Sequence, residues 1–166
     1  MTATPGNAID FEYIEKAIRE AAEKFGEENI KGIAYDRWSA TDVVQRLTYD
    51  RFPMDQFGQG YVSMSEPTKE LERMAIKGEL RHGGNPVLRW MMSNVQLETD
   101  AAQNIKVSKK RSREKVDGVV ALVMAIGEWM TLRGSGSVYA ERGVISMVPF
   151  KEEIKESFEE NDKHWK

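Results

Sequence analysis

Two aspartates and one basic segment are the residues of this chain whose types and places could do chemistry. Asp36 closes the run Lys31-Gly32-Ile33-Ala34-Tyr35-Asp36, whose β-branched and aromatic content predicts a buried strand ending in a carboxylate. In an open α/β sheet, ligands gather beyond the carboxyl ends of parallel strands, so Asp36 falls where a metal or a phosphate would be handled. Asp117 stands at the start of a long apolar segment, Val116 to about Leu132, which predicts a helix buried nearly all round. A carboxylate entering such a helix is costly unless it is paired, favours the helix N-terminus, or binds a cation. Just before it, Ser108 to Lys115 holds five Lys or Arg in eight residues, with one Glu. Such a segment reads either as a solvated loop or as a phosphate-contacting one, and the neighbouring Asp117 favours the second. Lys109, Lys110, Arg111, Arg113 and Lys115 in this segment, with Lys106 just before it, are the candidate phosphate contacts.

Carboxylates and water suit Mg²⁺ and Mn²⁺. Two such ions about 4 Å apart can clamp a phosphodiester, activate water and stabilise the leaving oxygen. That chemistry usually needs at least three acidic ligands, and Asp36 and Asp117 are two. Glu98, Asp100 and Glu114 are the candidates for a third within the chain.

The elements that must position these groups can be read from spacing. Phe11, Ile14, Ala17, Ile18, Ala21 and Phe25 form one helical stripe, with Asp10 as its cap and Gly26 at its end. After Asp36, Ser39 and Asp42 resemble a helix-start box, and Val43, Val44 and Leu47 supply the apolar face of a helix ending near Arg51. Met54 to Phe57 reads as a second, parallel strand, which makes a βαβ unit with a right-handed crossover. Gly58-Gln59-Gly60 follows it. Ser65, Glu66 and Pro67 predict the opening of another helix, with Pro in the first turn, ending at Gly78. Gly83-Gly84-Asn85-Pro86 is a turn, Val87 to Asn94 a short helix, and 95–99 with 105–107 a hairpin. Gly134-Ser135-Gly136-Ser137 divides a packed domain, 1–133, from an extension, 134–166, in which Phe150, Ile154 and Phe158 suggest a marginal helix.

The totals set outer bounds. The chain has 166 residues, 40% hydrophobic and 31% charged, enough for one domain with a real core. No apolar run approaches the ~20 residues of a spanning helix, and the N-terminus lacks the pattern of a signal peptide. The absence of cysteine excludes disulfides and thiolate metal sites and fits a reducing cytoplasm. His82 and His164 are too few for a histidine-rich zinc site. A net charge of −3 means that any nucleic-acid binding must come from a local basic patch.

Several runs, in order, carry a family resemblance. They are Ile9-Asp10-Phe11-Glu12-Tyr13-Ile14, Ile33-Ala34-Tyr35-Asp36-Arg37-Trp38, Phe57-Gly58-Gln59-Gly60-Tyr61, Ser65-Glu66-Pro67-Thr68-Lys69-Glu70-Leu71-Glu72, His82-Gly83-Gly84-Asn85-Pro86-Val87-Leu88-Arg89-Trp90 and Lys115-Val116-Asp117-Gly118-Val119-Val120-Ala121-Leu122. Over roughly residues 2–147 the chain resembles the C-terminal nuclease part of a tailed-bacteriophage or prophage terminase large subunit. The resemblance implies an α/β, ribonuclease H-like fold and a two-metal (Mg²⁺ or Mn²⁺) endonuclease cutting concatemeric viral DNA during packaging. It implies double-stranded DNA, the terminase small subunit and the portal protein as partners, in the bacterial host cytoplasm, with no membrane. Asp36 matches the family's acid at the end of the fourth strand, Asp117 the acid on the C-terminal helix, and 95–107 a hairpin near the DNA-binding face.

The family's first catalytic acid lies on a strand upstream of Met1, and no Walker A pattern for ATP occurs in the chain. The expectation is an N-terminally truncated nuclease whose sheet lacks its first three strands and offers an open edge for self-association. Whether such a chain is an enzyme stays open at this point. The alternative is an inactive prophage remnant or a non-catalytic DNA- or protein-interaction module. A generic βαβ nucleotide-binding domain is disfavoured, since no Gly-rich fingerprint precedes a helix.

Overall fold

A computed structural model describes residues 11–36 and 41–135. The Asp10 cap, the Ser39 helix-start box and the helix expected over 150–158 lie outside the described residues. The chain divides into two units between Arg133 and Gly134, and the first of them holds almost everything described.

Helix α1 (Phe11–Phe25) and a single 3-10 turn (Glu27–Asn29) lead into strand β1 (Ile33–Tyr35). Helix α2 (Thr41–Tyr49) crosses to strand β2 (Met54–Gln56), which pairs parallel with β1 in the register Ile33–Met54, Ala34–Asp55, Tyr35–Gln56. The expected βαβ unit is present. Helix α3 (Tyr61–Ile76), helix α4 (Pro86–Asn94), strands β3 (Leu97–Thr99) and β4 (Ile105–Val107), and helix α5 (Asp117–Ser135) complete the order. β3 and β4 form the expected antiparallel hairpin.

Two cores lie on opposite faces of the β1–β2 sheet. On one, Ala22 of α1 meets Val43 and Leu47 of α2 and Phe52, with Ile33 and Met54 packed against them. On the other, α5 presents Val119, Val120, Val123 and Met124 to Met64 and Leu71 of α3 and Val107 of β4, with Ala34 packed against them. Ile33 and Ala34 point to opposite faces because successive strand side chains alternate.

The structure corrects three expectations. First, α3 begins at Tyr61, six residues before Pro67, which lies inside the helix. Gly60, in an extended conformation, caps it, and the Met64 N–H donates to the Gly60 carbonyl at 3.0 Å. Proline at this depth normally disrupts a helix. Here Pro67 is buried where α3 and α5 approach closely, and a Cβ on Gly127 would stand 2.9 Å from Pro67 Cγ. Packing overrides local preference.

Second, α5 is not buried all round. Ala121, Ala125, Trp129 and Leu132 are exposed along one side. Third, β1 is only half-buried. The Ile33 N–H donates to the Pro53 carbonyl at 2.8 Å and Tyr35 O accepts from the Phe57 N–H at 2.8 Å. The backbone groups of Ala34 therefore face the other edge, where no strand pairs among the described residues.

Candidate metal and nucleic-acid site

The position of Asp117 relative to Asp36 follows from how α5 lies on the sheet. A Cβ on Gly32, just before β1, would meet Glu128 Cγ at 2.7 Å and Oε1 at 2.8 Å, so that glycine admits the Glu128 side chain. Further along the sheet direction, Gln59 Nε2 donates to Met124 Sδ at 3.7 Å. Contacts thus move backward along α5 as the sheet runs forward, and the helix is antiparallel to the strands. Asp117 lies eleven residues before Glu128, about 16 Å along the helix. Asp36 lies four residues beyond Gly32, about 13 Å along the strand. Asp36 thus directly follows β1 and Asp117 opens α5, two elements that pack into one core.

Asp36 is half-buried, and Asp117 is 63% exposed at its side chain. The burial cost anticipated for Asp117 therefore does not arise. Asp117 opens α5, where the helix dipole favours a negative charge, and its Oδ1 pairs with Lys109 Nζ at 3.2 Å. That ion pair joins the basic loop to the acid.

The loop is fastened rather than loosely solvated. Ser108, 2% exposed, donates from Oγ to Glu98 Oε2 at 2.8 Å and accepts from the Arg111 N–H at 3.3 Å. Ser112 donates from Oγ to the Ser108 carbonyl at 2.6 Å and accepts from the Gln96 N–H at 3.1 Å. The hairpin beneath is equally fixed. Glu98 stands directly across from Lys106, with Oε1 and Nζ 3.2 Å apart, and Lys106 Nζ lies 4.7 Å over the Tyr61 ring. The Ser108 and Lys106 bonds hold the Glu98 carboxyl below the usual range.

Of the candidate DNA contacts, Lys106 is thus engaged inside the fold and Lys109 is shared with Asp117. Lys110, Arg111, Arg113 and Lys115 are exposed on the loop. Among the described residues, no three His, Asp or Glu side chains cluster as a metal-binding group. Asp36 and Asp117 fit Mg²⁺ or Mn²⁺ in kind, as hard oxygen donors, but are only two.

The proposed third acids inside the chain are otherwise employed or apart. Glu98 is held by Ser108 and Lys106. Asp100 closes the hairpin turn, accepting from Asn104 Nδ2 at 2.9 Å, the Asn104 N–H at 2.8 Å and the Ala102 N–H at 2.9 Å. Those bonds, the Asn104 side chain first, hold its carboxyl below its ordinary value. Glu114 is exposed on the loop.

The profile of the terminase large subunit endonuclease domain matches residues 1–132. The chain belongs to that family. It is 31% identical over 131 residues to the terminase large subunit of Enterobacteria phage HK97, covering 76% of this chain and 25% of that protein. It is 33% identical over 132 residues to protein YmfN of Escherichia coli K12, covering 78% of this chain and 28% of that protein. The crystal structure of the HK97 bacteriophage large terminase superposes with a TM-score of 0.67 at 31% identity, covering 75% of this chain and 26% of that one. The fold is that ribonuclease H-like nuclease fold, and the chain spans about a quarter of the length of these relatives.

Within this terminase domain, three residues of family motifs acquire structural roles. Asn85 caps α4, its Oδ1 accepting from the Val87 and Leu88 N–H groups at 3.0 Å each. The His82 carbonyl accepts from the Asn85 N–H at 3.3 Å in the same turn, and Gln59 ties the end of the sheet to α5. Sequence reasoning missed the contact of Glu128 with Asp55, whose charge and hydrogen bond, after burial, push the Glu128 carboxyl up. No local signal foretells it, since the two acids meet only through α5 crossing the sheet. The Ser108–Ser112 fastening had a faint signal, two serines four residues apart beside a strand.

Proposed function

We propose that this domain is the metal-dependent endonuclease part of a terminase large subunit, acting on concatemeric phage DNA during genome packaging. The observation that supports it best is the Lys109–Asp117 ion pair, which sets a fastened basic loop beside the acid that opens α5. Asp36 and Asp117 would hold Mg²⁺ or Mn²⁺, which when bound supplies activation of water and stabilisation of the leaving oxygen. The chain's own part is to offer these carboxylates and to grip phosphates through Lys110, Arg111, Arg113 and Lys115. Lys109, whose ion pair with Asp117 is more than half exposed, would add to the same phosphate grip. Double-stranded DNA is the substrate, and the packaging small subunit and portal are the protein partners on this reading.

The test is nicking of supercoiled plasmid with Mn²⁺, alongside calorimetric Mn²⁺ binding. Asp36→Ala and Asp117→Ala should each abolish both. Lys110→Ala with Arg113→Ala should lower the salt slope of DNA binding by about 2 while leaving Mn²⁺ binding in place. Wild-type protein that neither cuts nor binds Mn²⁺ overturns the enzymatic reading. A second reading, a non-catalytic DNA-interaction module, is favoured by the two-carboxylate donor set among the described residues. It expects the same salt slope with no metal binding.

A further inference from the structure

The run from His82 to Trp90 takes no part in the proposed nuclease chemistry, yet it borders a cleft. Helix α3 stops where Gly78 takes a left-handed conformation, φ 67°. There the Gly78 N–H donates to the Ala75 carbonyl at 3.2 Å and the Glu79 N–H to the Met74 carbonyl at 2.9 Å. Helix α4 starts at the Asn85 cap, and the His82 carbonyl accepts from the Asn85 N–H in the turn before it. Between these two fixed ends lies a cleft of about 390 Å³, within the usual range of ligand pockets, about 300–1,000 Å³. Half-buried Leu80, Leu88 and Met92 make its floor, with Ala75 of α3 beside them. Exposed His82 and Arg89 make its rim. Positions 88, 89 and 92 share one face of α4, so the cation and the apolar floor are presented together.

We propose that this cleft binds a short acidic peptide segment of a partner protein. An apolar side chain of the segment fills the Leu80–Leu88–Met92 floor, and neighbouring carboxylates pair with Arg89 and His82. Charge complementarity carries the choice. No acid lines this cleft, whereas the one beside Glu128 is lined by Asp55, Glu66 and Glu128. Among the described residues, no side chain forms an ion pair or hydrogen bond with His82 or Arg89. The one acid of segment 77–85, Glu79, is already engaged by Arg73 at 2.8 Å. Arg81, exposed in the same turn, adds positive charge.

A guanidinium takes a carboxylate through two parallel hydrogen bonds, and the imidazole of His82 offers an N–H. Duplex DNA brings anions as well, but it has no apolar side chain for the floor. No Phe, Tyr or Trp among the described residues lines the cleft to stack a base. A peptide supplies both the apolar anchor and the charges. The motif residues thereby gain a use: Asn85 fixes the start of α4, and His82 and Arg89 read the ligand. The inference rests on this cleft and not on the nuclease reading, so its test is run without metal.

The test is isothermal titration calorimetry of the full chain with the acetylated, amidated peptide Asp-Glu-Leu-Leu-Asp-Glu. The expected result is one-to-one binding with a dissociation constant on the order of 100 µM. Arg89→Glu should weaken it about tenfold or more, and His82→Ala by about threefold. Ala75→Trp, which fills the cleft from an exposed position on α3, should abolish it. Serine in place of both leucines of the peptide should weaken it about tenfold. No binding up to about 1 mM overturns the proposal. So does binding indifferent to Arg89→Glu and Ala75→Trp, or equal binding of a peptide with lysine in place of every acid. A short DNA duplex whose affinity falls with Arg89→Glu while the peptide's does not would overturn it in favour of a nucleic-acid contact. Circular dichroism checks that each variant is folded. Should Ala75→Trp not fold, Arg89→Glu and the serine peptide decide the matter.

Discussion

The β3–β4 hairpin with its loop and the β1–β2 sheet with α5 are built on opposite terms. In the hairpin, acids serve the fold as charges: Glu98 between Ser108 and Lys106, Asp100 inside its turn. Both are held below their ordinary values. In the sheet region, Glu128 faces Asp55 and the close approach of Gly32, and its carboxyl is pushed up by burial first and by Asp55 second. The hairpin is satisfied by its own partners. Among the described residues no strand pairs with the outer edge of β1, and α1 beside the sheet buries only Ala22 fully while Phe11, Ile14 and Phe25 stay exposed. The lesson is that the half of the candidate site that carries the basic loop is self-contained, whereas the half that carries Asp36 is covered on only part of its surface.

That contrast can be broken first at the cores. Leu47, 0% exposed beneath α1, should cost about 2–5 kcal/mol as Leu47→Ala. Phe25→Ala, at a site 60% exposed, should cost less than about 0.5 kcal/mol. Both are read from urea unfolding midpoints. Equal losses would show that the apolar face of α1 is covered after all.

Next comes the loop. Ser108→Ala removes a buried hydroxyl that both donates and accepts, with an expected loss of about 1–3 kcal/mol. The variant should also bind DNA more weakly with an unchanged salt slope, because the charges remain but their fixed arrangement does not. A variant as stable as wild type would remove the claim that the loop is fastened.

The smallest effect is the pH response, where the two regions differ in sign. Glu128 holds its proton in the folded chain at pH values where the unfolded chain has lost it. Its contribution is fully present below the ordinary value of 4.5 and declines as pH rises through the raised folded value. Glu128→Gln should flatten that decline and leave the protein more stable than wild type near neutrality. For Glu98 and Asp100 the sign reverses. Their support is present above the ordinary carboxylate range and is lost as pH falls through the lowered folded values. Hydrogen exchange of hairpin amides should accelerate in acid relative to that of the sheet. Acceleration in the sheet instead would invert the comparison.

Much of this was legible from spacing alone. The stripe from Phe11 to Phe25, the strand before Asp36, the βαβ unit and the hairpin all appear where periodicity and turn residues put them. These signals are local, set by side chains within a turn or a pleat of each other. The start of α3 was not legible, because Pro67 is a strong local stop signal and only its packing near Gly127 shows why the helix tolerates it. Nor was the exposed side of α5. Composition says that this helix is apolar, but which of its apolar residues find a neighbour depends on what else is packed there.

The sequence by itself determined the elements, the family and the acids at their ends, because hydrophobic period and turn chemistry act over a few residues. Only the tertiary structure decided which charges meet. The crossing of α5 over the sheet brings Glu128 to Asp55 and to Gly32, and it leaves Ala121, Ala125 and Trp129 exposed. Those pairings join residues far apart in the chain, and their energies exist only once helix and sheet have packed.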